Sequence, residues 1–144
     1  MNVYYIGIGI GSFILCGYLV YAALSRHGFS LFQDFQSAWL LMNTIEYSLN
    51  IISQCVLNDP DKSTINNIEH HVRIISRRIT SATFQTKSGE HLQDALRMVN
   101  VMLMTGMFLL EMKQWVAAKE QIHQANLLFH QIKQLVADRI KDNI

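Results

Sequence analysis

The stretch LFQDFQSAWLLMNTIEYSLNIISQCV, residues 31–56, decides the fold because its apolar side chains recur with one unbroken period. Steps of four and three residues alternate along it, which is the 3.5-residue repeat of a helix that packs against other helices. Ser30 and Gln33 form a capping box S-x-x-Q, so we expect the helix to begin there. The repeat consists of Leu31, Phe35, Ala38, Met42, Ile45, Leu49, Ile52 and Val56.

Three further segments show the same repeat, and short polar joints separate them. Pro and Asp in NDPDKS (58–63) and Gly in TKSG (86–89) favour turns and helix caps. The predicted helices cover residues 31–57, 64–85, 90–112 and 115–141. The three later repeats are Ile65, Ile68, Val72, Ile75, Ile79 and Ala82; Leu92, Leu96, Val99, Leu103, Gly106 and Leu110; and Trp115, Ala118, Ile122, Ala125, Phe129, Ile132 and Val136.

The last joint, MKQW (112–115), has neither Gly nor Pro, so one long helix over residues 90–141 also fits the pattern. Amphipathic helices connected by short joints pack as antiparallel neighbours. The sequence therefore predicts an all-α protein with an antiparallel four-helix bundle over residues 29–144.

The N-terminal part has a different character, because residues 1–25 contain no charged side chain. Such a run is long enough to cross a bilayer as a helix, which needs about 20 residues. We therefore expect residues 1–26 to form a single transmembrane anchor. A cleaved signal peptide is the alternative, but it normally carries a positively charged start, which this run lacks. Every Lys and Arg lies at Arg26 or later, and basic residues flanking a membrane helix usually stay in the cytoplasm, so we expect the C-terminal domain to be cytoplasmic. We expect the membrane to be a bacterial inner membrane.

Three glycines in IGIGIG (6–11) permit two interpretations. A dinucleotide-binding loop needs a preceding strand and the spacing G-x-G-x-x-G, and neither is present. In a membrane helix, Gly7 and Gly11 form a G-x-x-x-G step, and Ser12 with Cys16 forms a second step of small residues. We expect these four residues to form a packing face for another transmembrane helix.

The composition excludes some partners. The net charge is only +1, so no nucleic-acid partner is expected. The two cysteines, Cys16 and Cys55, lie in different segments, which argues against a disulfide framework. No nucleophile motif or carboxylate pair suggests catalysis, so neither an enzyme nor a cofactor is expected.

More apolar surface is present than the repeats alone account for. Five of the seven methionines lie in MVNVMLMTGMFLLEM (98–112), and the 13 residues from Met98 to Leu110 are uncharged. This run is too short for a second membrane span. Excess apolar surface commonly marks a partner site, in which methionine adapts to irregular neighbours. The predicted partner interface is Phe32, Trp39, Leu40, Tyr47, Ile51, Met98, Met102, Met104, Met107 and Phe108.

Six histidines raise the question of a metal site. Glu120-x-x-His123 has the spacing of a di-iron motif, but only one copy exists, and both residues should face away from the core. We therefore expect no metal site. Arg73, Arg77 and Arg78 form the densest basic cluster of the sequence. Together with Arg26, the last residue of the predicted anchor, they are candidates for contact with lipid headgroups.

One resemblance to a known family involves residues 99–129. Gly106, Ala118 and Ala125, with Trp115 between them, resemble a single tetratricopeptide repeat, which implies a helix-turn-helix adaptor. Three positions depart from the pattern of that repeat, where the chain has Met102, Thr105 and His130.

Together these features predict a non-catalytic accessory or scaffold subunit that docks onto a larger membrane protein complex through apolar helix faces. Other membrane subunits, the lipid bilayer and further copies of the chain are the expected partners. A membrane-tethered sensory or ligand-binding bundle is the alternative. A tetratricopeptide-like adaptor and a metal-dependent enzyme are further ones.

Overall fold

The structure is a computed structural model that describes residues 30–57 and 61–142, and these residues form four α-helices and no β-strand. The described part of helix α1 covers residues 30–55, and the other helices are α2 at Lys62–Ser81, α3 at Lys87–Glu111 and α4 at Trp115–Asp142. They pack around one hydrophobic core as a helical bundle. The predicted all-α class is confirmed for this part of the chain.

The core consists of the predicted repeats. Of the 27 repeat positions, 23 are buried. The four exceptions are partly exposed, and each lies at one end of its repeat, where fewer neighbouring helices cover it. They are Leu31, Ile65, Ala82 and Trp115.

Neighbouring helices run in opposite directions. Gln93 near the start of α3 donates to the carbonyl of Ala82 beyond the end of α2, at 2.7 Å. Two turns further along α3, Asn100 contacts Ser76, which lies earlier in α2. The helix α4 packs along α3 on the other side, and α2 and α4 do not contact each other. Within the described residues, α2 and α4 therefore lie diagonally opposite.

Helices α3 and α4 approach each other closely at Gly106. A Cβ atom on this residue would lie 2.7 Å from Cγ1 of Ile122 and 3.5 Å from the carbonyl oxygen of Ala118. Contacts this short cannot be accommodated without movement of Ile122, which is buried. Gly106 and Ala118, two of the small residues that resemble a tetratricopeptide repeat, therefore lie at the contact between α3 and α4.

The joint at residues 112–115 is a turn, so α3 and α4 are separate helices. Lys113 has a positive φ of 61°. The amide of Lys113 donates to Leu110 and that of Gln114 donates to Leu109, which is the Schellman arrangement that usually has glycine in the left-handed position. A lysine there costs roughly 1–2 kcal/mol, and the absence of glycine left this turn ambiguous in the sequence.

A buried carboxylate holds the turn between α2 and α3. Asp34 of α1 is only 2% exposed. Its oxygens accept hydrogen bonds from the amides of Gln85 and Thr86, both at 2.8 Å, and from the Thr86 hydroxyl at 2.6 Å. Thr86 in turn caps α3 by accepting from the amide of Gly89. These bonds and those of Gln93 end α2 at Ser81, four residues before the predicted end.

The predicted transmembrane helix 1–26 lies outside the described residues. The helices within residues 30–57 and 61–142 were searched, and none of them is both long and apolar enough to cross a bilayer.

We predict that replacement of the Asp34 carboxylate destabilises the whole bundle. D34A leaves two amides and a hydroxyl without their acceptor, so we expect the free energy of unfolding to fall by about 3 kcal/mol. D34N keeps one acceptor oxygen and should lose about half as much. Urea unfolding followed by circular dichroism in mild detergent measures both effects.

The matched control is D138A, which removes an exposed carboxylate of α4. It should change the free energy of unfolding by no more than about 0.5 kcal/mol. An equal loss in D34A and D138A would contradict the role of Asp34.

Candidate docking surfaces

Helix α3 presents an apolar strip to solvent, which we call the α3 stripe. It consists of Met98, Val101, Thr105, Phe108 and Met112. Its four apolar members are each more than half exposed. The spacing alternates three and four residues, as in the buried repeat, so α3 carries apolar repeats on opposite sides.

The predicted interface residues of α3 divide between its exposed side and its core side. Met98, Met104 and Phe108 are exposed, as a partner surface requires. Met102 and Met107 are instead half-buried against the core.

Helix α1 exposes a second apolar surface. Leu40 is 64% and Tyr47 71% exposed. Phe32, Trp39 and Ile51, which were predicted to belong to the same surface, are half-buried. Trp39 lies close to α4.

The contact between α1 and α4 near Trp39 includes a partly buried charge pair. Lys133 of α4 forms an ion pair with Glu46 of α1, and both side chains are mostly buried. The Lys133 ammonium also lies 5.1 Å from the centroid of the Trp39 ring, within cation–π distance. These contacts hold Trp39 in place, so the exposed surface beside it is part of a rigid element.

An open groove of about 480 Å³ lies beside Trp39. It separates the first turns of α1 from the last turns of α4, and most of its lining is apolar. We call it the α1–α4 groove. Its lining residues are Gln36, Trp39, Leu40, Ala137, Ile140 and Lys141.

A second groove, of about 530 Å³, opens at the same end of the bundle between α1, α3 and α4. Apolar side chains such as Phe35 and Leu135 form most of it, and His91 and Arg139 lie at its edge.

The basic residues of α2 lie on its outer surface. Arg73, Arg77 and Arg78 are exposed, and Arg73 forms an ion pair with Glu69. Glu69 is the one acidic residue in α2. Arg26, the fourth member of the predicted lipid contact, lies outside the described residues, as do Gly7, Gly11, Ser12 and Cys16.

The described residues contain no cluster of three His, Cys, Asp or Glu side chains that could hold a metal ion. Glu120 and His123 are exposed on α4, on the side away from the core, as the repeat indicates. His130 is exposed on the same helix. Cys55 is a free, half-buried thiol that accepts a long hydrogen bond of 3.8 Å from Asn67.

His71 of α2 lies in an environment that lowers its pKa. Its Nδ1 lies 3.1 Å from the Ser48 hydroxyl of α1. Burial lowers the pKa of His71 below its usual value of 6.5, and the neighbouring charge of His70 lowers it further. The folded protein therefore favours a neutral His71.

Sequence reasoning missed the polar residues that fix these surfaces, namely Asp34, Glu46, Gln93 and Lys133. The position of Asp34 next to the predicted core residue Phe35 is only a weak signal that its carboxylate is buried. Its partners are about 50 residues away in sequence, and nothing in the local pattern identifies them.

Comparisons of the chain with protein-family models, with characterised proteins and with solved structures found no match.

We predict that the bundle loses stability as the pH falls through the range in which His71 titrates. The unfolded chain binds a proton on His71 near pH 6.5, whereas the folded chain binds it only at lower pH, so protonation favours unfolding. This contribution is intact above about pH 7.5 and is lost progressively below pH 6.5. H71Q should make the dependence weaker, as measured by urea unfolding at several pH values.

H130Q serves as the control, because it removes an exposed histidine and should leave the slope of stability against pH close to that of the natural chain. If H71Q and the natural chain lose stability in parallel between about pH 7.5 and 5.5, His71 is not the responsible group.

Proposed function

We propose that this protein is a non-catalytic accessory or scaffold subunit, anchored in a membrane by one N-terminal helix, that docks onto a larger membrane protein complex. The observation that carries the proposal is the exposed apolar surface of α1 next to the α1–α4 groove. Leu40 and Tyr47 are largely exposed on a helix whose core face is already fully used. Apolar surface in excess of the core commonly marks an interaction site.

In this proposal, residues 1–26 form the transmembrane helix and an antiparallel four-helix bundle follows it on the cytoplasmic side. Gly7, Gly11, Ser12 and Cys16 offer a small-residue face to a neighbouring helix of the complex. The uncharged N-terminal run supports the anchor. The exposed arginines of α2 support a bundle that rests against anionic headgroups, together with Arg26.

A second candidate function, a membrane-tethered ligand-binding bundle, is favoured by the groove edged by His91 and Arg139. A long-chain carboxylic acid fits its apolar lining and basic edge. A raised thermal midpoint on addition of such an acid, with loss of the effect in L135E, would favour this function over docking.

We predict that Leu40 lies within reach of the partner. A photo-crosslinking amino acid at position 40 should give one discrete adduct in native membranes. L40E places a charge on the exposed surface without disturbing the core, so the amount of partner that co-purifies in gentle detergent should fall about tenfold.

L57E is the control, since Leu57 is equally exposed but lies beyond the far end of α1. It should retain the partner. A purified chain that runs alone and gives no adduct at position 40 would refute docking through this surface.

We also predict that the N-terminal run holds the protein in the membrane. The full chain should stay in the pellet after alkaline carbonate extraction. Two arginines in the run, G11R with L15R, each oppose insertion by about 2.5–3.5 kcal/mol and should release the chain.

Two arginines on the exposed side of α1, N43R with N50R, serve as the control and should leave the protein in the pellet. Release of the unaltered chain by carbonate would contradict the anchor and leave the test of Leu40 unaffected.

A further inference from the structure

Within the described residues, no element of the chain covers the α3 stripe. The helices α2 and α4 both pack against α3, and Asp34 of α1 binds Thr86, the N-cap residue of α3. The stripe spans four turns with a regular heptad spacing. One further helix that packs along α3 would bury all of its apolar members at once.

The charges beside the stripe indicate what that helix is. Arg97, Met104 and Glu111 are seven residues apart, so they line one edge of the stripe. All three are exposed. Arg97 and Glu111 are of opposite sign and lie at equal distances from Met104, about 10 Å along the helix axis.

This symmetry makes the surface complementary to itself. If two α3 helices meet in antiparallel fashion, with a two-fold axis beside Met104, Arg97 of each copy lies opposite Glu111 of the other. Two intermolecular ion pairs form, one at each end. Closed two-fold pairing of identical surfaces is the commonest form of self-association.

The parallel arrangement lacks this complementarity. Asp94 lies four residues before Met98 and continues the line of the stripe. In a parallel pair it would lie opposite Asp94 of the other chain, and the two negative charges would repel each other. Arg97 would face no acidic residue of the other chain. Arg97 already contacts Asp94 in its own helix at 3.2 Å, and this exposed pair leaves the rest of its guanidinium available.

We infer that the α3 stripe is a self-association surface, on which a second copy of this chain packs its own α3 in antiparallel orientation. The inference rests on the proposed function for its membrane setting, and it assigns one of the two docking surfaces to a second copy. The α1 surface stays free for a different subunit.

Crosslinking of the full-length chain in mild detergent tests the contact. In a background with C16S and C55S, M104C lies beside the two-fold axis and should give a covalent dimer with a short bismaleimide. N66C, exposed on α2, should give none. A dimer yield for M104C no greater than that for N66C would overturn the inference.

Charge exchange tests the orientation. R97E and E111R should each weaken dimerisation about tenfold in analytical ultracentrifugation, because each turns both ion pairs into repulsions. The double variant R97E/E111R should recover most of the affinity, and a mixture of the two single variants should form mixed dimers. K62E makes the same change of net charge on α2 and should leave dimerisation unchanged.

The outcomes separate the inference from the proposed function. Dimerisation that persists in L40E, with loss of the partner, supports both. Absence of rescue in R97E/E111R refutes the antiparallel pair, and monomers in all variants refute self-association, whether or not the partner still binds at Leu40. Protection of M104C by anionic lipid vesicles without dimer formation would assign the stripe to the bilayer instead.

Discussion

The hydrogen bonds of the Asp34 carboxylate are the constraint on which the arrangement of the helices depends. A buried carboxylate without donors is strongly destabilising, so the fold must supply them. The donors come from Gln85 and Thr86, in the turn between α2 and α3. This requirement fixes the part of α1 around Asp34 against the turn that precedes α3. Gly89 completes the arrangement, because a side chain there would overlap the Asp34 carboxylate.

With the helices fixed in this way, each of them contributes one set of heptad-spaced apolar residues to the core. The helices differ mainly in their outer surfaces. The helix α2 is polar and basic outside. By contrast, α3 repeats its apolar spacing on the outer side, where Val101 and Phe108 face solvent. The helix α1 exposes Leu40 next to Trp39, whose ring is held by Lys133. The two apolar surfaces therefore lie on opposite sides of the bundle, and a partner on one does not obstruct the other.

The sequence predicted the core well because a heptad repeat depends only on local spacing, and burial follows directly from it. Helix ends were less predictable wherever a distant residue sets them. The helix α2 ends at Ser81 because Gln93 and Asp34 bind the chain that follows, and neither contact is local. Lys113 adopts the left-handed backbone conformation that glycine usually occupies at the end of a helix. Because the sequence has lysine there instead of glycine, no local signal marks the turn. The spacing of apolar residues on α3 shows that two of its sides are apolar. It does not show which of the two sides the other helices cover.

Antiparallel pairing of α3 and attachment to one membrane are geometrically compatible. The two-fold axis of such a pair is perpendicular to the helices, so it keeps both copies of α2 on the same side of the dimer. The outer surface of α2 carries Lys62, Arg73 and Arg77, and its one acidic residue is paired with Arg73. A dimer that lies flat, with both α2 surfaces on anionic headgroups, gains favourable electrostatic contacts from each copy. The α1 surfaces of such a dimer point away from the two-fold axis, which leaves both of them accessible to the larger complex that we propose.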